Sequence, residues 1–127
     1  HGTKYELSHE PFVAFDLLIR KERATLDELI NRTHNYGIIL PHFLGYGPMT
    51  IEQAVAKLST SPHGALDKIE GAVWRVERKG KVDFLTKFVR LDKQDGKYLP
   101  ENNGLGVPIF NSWKGVSADK IYTKQFL

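Results

Sequence analysis

A carboxylate at Glu70 and an ammonium at Lys87 are the residues whose types and spacing point to chemistry. They flank "GAVWRVERKGKVDFLT", two alternating apolar runs joined at Lys79-Gly80. Glycine at the second central position of a two-residue loop favours a tight hairpin turn. Carried down from that turn without interruption, the register sets Trp74 across from Leu85, Ala72 from Lys87 and Glu70 from Val89. Side chains alternate faces with period two. Glu70 and Lys87 then become diagonal neighbours on one face, at the open end of the hairpin. An acid and a base held there, beside Gly71, form a plausible site for phosphate and metal. The glutamate could hold a divalent cation through water and the lysine could neutralise a phosphate oxygen. The same spacing also describes a surface salt bridge worth under about 1 kcal/mol. A three-residue loop would place the two on opposite faces.

The elements that must position this pair read as follows. "PFVAFDLLI" (residues 11–19) is a nearly continuous apolar run with one acid and fits a central strand. Thr25-Leu26-Asp27-Glu28 has the form of a capping box. The helix it opens carries Leu26, Leu29, Ile30 and Thr33 on one face, and Gly37 suits its stop. "IILPHFL" (residues 38–44) reads as a short strand interrupted by Pro41. Thr50-Ile51-Glu52-Gln53 opens a second helix with Ile51, Val55 and Leu58 inward. Residues 59–67 read as a loop, residues 69–78 and 81–90 as strands. After Tyr98 the chain is rich in Gly, Asn and Pro and reads as irregular to the end.

The 127 residues suit one domain, and 41% hydrophobic with 26% charged residues is ordinary globular composition. A net charge of +3 tilts the chain toward an anionic partner. With no cysteine, disulfides, zinc–thiolate clusters and thiol nucleophiles are excluded. No apolar run approaches the length that spans a bilayer, and no signal peptide is visible, so the expectation is a cytoplasmic setting without membrane contact. The start at His1-Gly2-Thr3 fits a processed or trimmed chain. The five histidines have no metal-like spacing, although His63 stands in the loop before Glu70. Lys68, Arg75, Arg78, Lys79, Lys81 and Arg90, with Trp74 and Phe88 among them, make an RNA-contacting face or a solvated hairpin. Ser59, Thr60 and Ser61 lack the partners of a hydrolase triad.

"EGAVWRVERKGKVDFLTKFVR" (residues 70–90) resembles motifs IV and V of the covalent nucleotidyltransferase superfamily, most closely the ATP-dependent RNA ligase family. "PFVAFDLL" (residues 11–18) is similar to that family's motif III, and the three motifs stand in the family's order. The resemblance covers about residues 1–100, leaving 101–127 as a tail. It implies an α+β fold, an antiparallel β-sheet with flanking helices, as a partial nucleotidyltransferase (ATP-grasp-like ligase) domain. It implies ATP and Mg2+ as cofactors. RNA ends would be joined through enzyme-AMP and RNA-adenylate intermediates. By match, Phe15 would stack on the adenine, Asp16 would be structural, Glu70 would bind the metal and Lys87 the α-phosphate. Leu85 stands where motif V usually carries its first lysine, so the phosphate clamp is thinner.

Lys93-Gln94-Asp95-Gly96 has the K-x-D-G form of the lysine this superfamily attaches to AMP. It follows motif V, whereas the nucleophile precedes motif III. Lys93 could therefore serve only in a permuted chain, and motifs III to V are not permuted. Asp95-Gly96 also suits a plain tight turn. Lys93 is read as a decoy, and the nucleophile and motif Ia acid are expected upstream of His1. The isolated chain is then expected to be inactive, with open sheet edges that invite the missing N-terminal half or a second copy. Two functions stand: part of an RNA ligase, or a non-catalytic nucleotide- or RNA-binding module. A fragment of a DNA ligase or capping guanylyltransferase is the lesser alternative.

Overall fold

A computed structural model describes residues 2–58 and 63–119. The elements are β1 (Glu6–Leu7), β2 (Leu18–Ile19), β3 (Glu22–Arg23), α1 (Leu26–His34), α2 (Ile51–Lys57), β4 (Gly71–Arg78), β5 (Lys81–Val89), β6 (Ser112–Trp113) and β7 (Val116–Ser117). The class is α+β. Among the described residues the strands form three small sheets, β1-β6-β7, β2-β3 and β4-β5, rather than the one antiparallel sheet expected. The first of these mixes a parallel pair, β1 with β6, and an antiparallel one.

The local signals for helices hold. Thr25 caps α1, its hydroxyl accepting from the Glu28 amide at 3.3 Å. Leu29 and Thr33 form its buried face, while Ile30 is partly exposed. Gly37 takes a positive φ just past the end, and its amide donates to the His34 carbonyl. At α2 the capping box is complete: Thr50 and Gln53 exchange bonds of 2.9 and 3.1 Å. The inward face of α2 differs from expectation. Ala54 is the residue it buries, whereas Ile51 and Val55 are nearly half exposed. A small side chain lets α2 lie close to β4, where the Trp74 indole donates to the Met49 carbonyl at 3.0 Å.

Residues 11–19 do not form the expected central strand. Val13 makes one parallel bridge to Ile39, which is also all the pairing residues 38–44 make among the described residues. Only Leu18 and Ile19 are strand, turning back on β3. The cause is Asp16. Its carboxylate accepts from the Leu17 amide at 3.0 Å, pairs with Arg75 Nη2 at 3.0 Å and also pairs with Arg23 Nε. A half-buried acid that finds two guanidiniums bends the backbone toward them instead of letting the run continue as a ladder. The structural role implied for Asp16 is therefore a polar lock between residues 16–23 and β4.

The hairpin turn falls at Lys79-Gly80 as read, with φ of 53° and 72°, the double positive φ of a type I′ turn. The ladder below it slips by one residue. Glu77 faces Val82, but Val76 faces Phe84, so Asp83 is an extra residue in β5. Such a bulge moves every later side chain of one strand to the other face relative to its partner. Lys87 thus faces Val73 and not Ala72, and Arg90 donates its amide to the Glu70 carbonyl at 2.8 Å. A second hairpin, β6–β7, lies in the region read as irregular. Its turn, Lys114-Gly115, repeats the Lys-Gly pair and its double positive φ.

Among the described residues the buried ones are Ala24, Leu29, Ala54 and Thr33. The accessible surface is 9901 Å2, where a compact monomer of this mass exposes about 6,900 Å2. Much apolar side-chain area, including Phe12, Phe15 and Tyr36, therefore stays in water.

Candidate functional site

The register separates the expected pair. Just ahead of β4, Glu70 continues the face of Ala72 and Trp74; Ala72 and Trp74 oppose Phe88 and Thr86, and Glu70 meets Arg90 just past β5. Lys87 lies on the other face with Val73, Arg75 and Leu85. The single face proposed for Glu70 and Lys87 is thus corrected by the Asp83 bulge. Phe15 belongs to the Lys87 side. Its carbonyl accepts from Arg75 Nη2 at 3.2 Å, and the residue is 72% exposed. Phe15 and Lys87 share one face, and Glu70 stands on the opposite one. Gly71 does permit a close approach, but the approaching group is the chain itself. A Cβ at residue 71 would lie 1.8 Å from the Phe88 carbonyl oxygen.

What Glu70 meets is Lys93. Its Oε2 lies 3.2 Å from Lys93 Nζ, and its Oε1 accepts from the Thr3 hydroxyl at 2.9 Å. The chain leaving β5 brings Lys93 there by a tight local path. Arg90 binds Asp92 through Nη1 at 3.0 Å and the Lys68 carbonyl through Nη2 at 3.3 Å, fastening the exit strand to the entry strand. Lys93 also pairs with Asp95 at 3.0 Å. The turn residues of "KQDG" and the acid of "EGAV" therefore share one site.

That site is a polar cavity of about 270 Å3, lined by Gly2 and by the cations Lys68, Arg90, Lys93 and Lys97. Its carboxylates are Asp67, Glu70 and Asp92. Asp67 is the best-held of them. It accepts from Lys97 at 2.7 Å, from the Tyr98 hydroxyl at 2.6 Å and from the Lys4 amide at 2.9 Å. Together these bonds hold its carboxyl at a pKa of about 2. Hydrogen bonds to Asp95 and Glu70 raise Lys93 above the ordinary amine value. At neutral pH Lys93 is an ammonium, a charge to offer an anion, not a free lone pair for attack. The Lys68 ammonium makes no ion pair among the described residues, which leaves it uncommitted.

The cavity does not fit a directly ligated Mg2+. Both Glu70 oxygens are engaged, one by an ammonium that would compete with the ion. Among the described residues no group of three or more His, Cys, Asp or Glu can hold a metal.

The other basic residues of the hairpin are partly spent on structure. Arg75 serves Asp16 and the Ala24 carbonyl, and Arg78 pairs with Asp83 at 3.2 Å. His63 does not approach the Glu70 cavity. Its Nδ1 lies 2.9 Å from His9 Nε2, at a second, apolar cleft. Ser59, Thr60 and Ser61 lie outside the described residues. No helix among the described residues is long and apolar enough to cross a membrane.

Compared with known proteins, the chain matches no family model, no curated protein and no solved structure.

Proposed function

We propose that this chain is a non-catalytic module that binds the phosphates of a nucleotide in the cavity where Glu70 and Lys93 meet. One observation carries the reading: an uncommitted Lys68 and the ammonium of Lys93 border the same small polar cavity. A phosphate oxygen there can take Lys68 directly and share Lys93 with Glu70 and Asp95. The cavity lies below the range of about 300–1,000 Å3 that holds whole drug-sized ligands, which suits a phosphate group better than an entire nucleotide. Because Lys93 is charged, no covalent step is assigned to it. The setting of this reading is cytoplasmic, with ATP, AMP or an RNA end as the bound partner. A second copy of the chain would cover apolar side chains left in water, such as Phe12, Phe15 and Tyr36.

The second reading is part of an ATP-dependent RNA ligase of nucleotidyltransferase fold. The observation in its favour is that the lysine of a K-x-D-G string sits 3.2 Å from the glutamate of "EGAV". Calorimetric titration with ATP, followed by intact mass after incubation with ATP and magnesium, separates the two. The binding module takes up ATP and gains no mass. A gain of one AMP, lost in Lys93→Ala, would establish the ligase reading, and no heat at millimolar ATP would remove both.

A further inference from the structure

The polar cavity has a neighbour of opposite character. An apolar cleft of about 430 Å3 is walled by Tyr5, Leu7, Val13, Pro41 and Trp113, with His63 among them. One extended segment joins the two. Gly2 lines the polar cavity and Thr3 binds Glu70. The chain then runs antiparallel to residues 64–66, through Glu6 N to Gly64 O at 2.9 Å and Leu66 N to Lys4 O at 2.9 Å. Tyr5, three residues after Gly2, already belongs to the cleft, a rise of about 10 Å along an extended chain. The Tyr5 phenol is raised above its ordinary pKa, first by burial and then by the charges of Glu70 and Asp67. That ring therefore stands between the charged cavity and the apolar cleft.

The chemistry of the cleft suits a neutral flat ring. His9 Nδ1 lies 2.7 Å from the Glu10 carbonyl, which can only accept, so that nitrogen carries the proton. In the neutral ring His9 Nε2 is then the acceptor, and His63 Nδ1 donates to it. Burial is the first cause that holds His63 below the usual imidazole value, with repulsion from His9 and His42 after it, so the uncharged His63 ring is favoured. Among the described residues, the buried Trp113 Nε1 has no acceptor. A ring nitrogen or carbonyl that reaches it gains a bond the protein does not supply.

We infer that this cleft takes the base of a nucleoside phosphate whose phosphates lie against Lys68 and Lys93, with the sugar passing Tyr5. This rests on the phosphate site proposed above, and it moves the base from Phe15 to Tyr5 and Trp113. The test compares tripolyphosphate, ATP and adenosine by calorimetry and tryptophan fluorescence, in the native chain and in Val13→Trp, which fills the cleft. ATP is expected to bind at least tenfold more tightly than tripolyphosphate. Val13→Trp should bring ATP down to the tripolyphosphate level while leaving tripolyphosphate unchanged, which also reports that the variant is folded. Trp113→Phe, which keeps an aromatic ring and removes the donor, should weaken ATP several-fold. Equal binding of ATP and tripolyphosphate, or a loss of ATP binding in Phe15→Ala with none in Val13→Trp, would overturn the inference. If neither phosphate binds, the phosphate site falls and adenosine decides the cleft alone. Saturable quenching abolished by Val13→Trp supports it, and no quenching ends it.

Discussion

Replacing Asp16 by asparagine tests the lock that shapes the N-terminal half. Asp16 and Arg75 are only 12% and 14% exposed, and Arg75 also ties down the carbonyls of Phe15 and Ala24. Asparagine keeps the shape and can still accept from the Leu17 amide, but it turns an NH2 toward Arg23 or Arg75. Breaking a fully buried pair costs about 3–5 kcal/mol, and a surface pair under about 1 kcal/mol. The Arg23 limb is 43% exposed, so the expected cost is about 2–3 kcal/mol. For a chain of this length that is a fall of about 8–11 °C in Tm. Burial pushes the Asp16 carboxyl up, but the bonds from Arg75, Arg23 and Leu17 outweigh it and hold it below its ordinary value. Its contribution is therefore present above the ordinary carboxylate pKa and is lost as pH falls through the lowered one. Thermal unfolding followed by far-ultraviolet circular dichroism, in a double-mutant cycle with Arg75→Met, reads the coupling. Strictly additive effects, or a drop under about 2 °C in Asp16→Asn, would refute the reasoning.

Two further outcomes follow from the same geometry. Asp67, with a pKa of about 2, contributes stability that is full above pH 4 and lost as pH falls toward 2. Discounting the partly exposed Lys97 limb leaves about 1–2 kcal/mol, read as an acid shift of the urea midpoint that Asp67→Asn should lack. An equal acid shift in that variant would place the loss elsewhere. The bulge at Asp83 sets Val73 directly opposite Lys87, in a pair that does not exchange backbone bonds. Cysteines at 73 and 87 should therefore oxidise to a disulfide readily, and cysteines at 72 and 87 poorly. The reverse preference would restore the uninterrupted register.

The features legible in the sequence were those fixed within a few residues. Thr25 and Thr50 announced their helices because a cap is made with the third residue on. Lys79-Gly80 announced its turn because two positive φ values in a row need that chemistry. Lys114-Gly115 carries the same signal, masked by the surrounding Gly, Asn and Pro. What the sequence did not reveal depends on distant partners. Residues 11–19 look like a strand until Asp16 meets Arg75, which is 59 residues away. The bulge leaves no local mark in "KVDF", yet it reverses the face of every residue beyond it, Lys87 included. The spacing of large apolar residues points to the wrong face of α2, because Ala54, whose small size brings the helix close, carries little hydrophobic signal. The meeting of Glu70 and Lys93 has no local signal, because K-x-D-G spacing describes a nucleophile motif and says nothing of a counter-ion for an acid 23 residues earlier. Lys68 and Asp67, which border the same cavity, stand in a stretch with no motif at all.

The central claim is that phosphate binds on the Lys93 side of the hairpin and not on the Lys87 side. ATP affinity measured by calorimetry in Lys93→Ala and in Lys87→Ala decides between the two faces. The account predicts at least a tenfold loss for the first and no change for the second. Unchanged affinity in Lys93→Ala together with a loss in Lys87→Ala would contradict it.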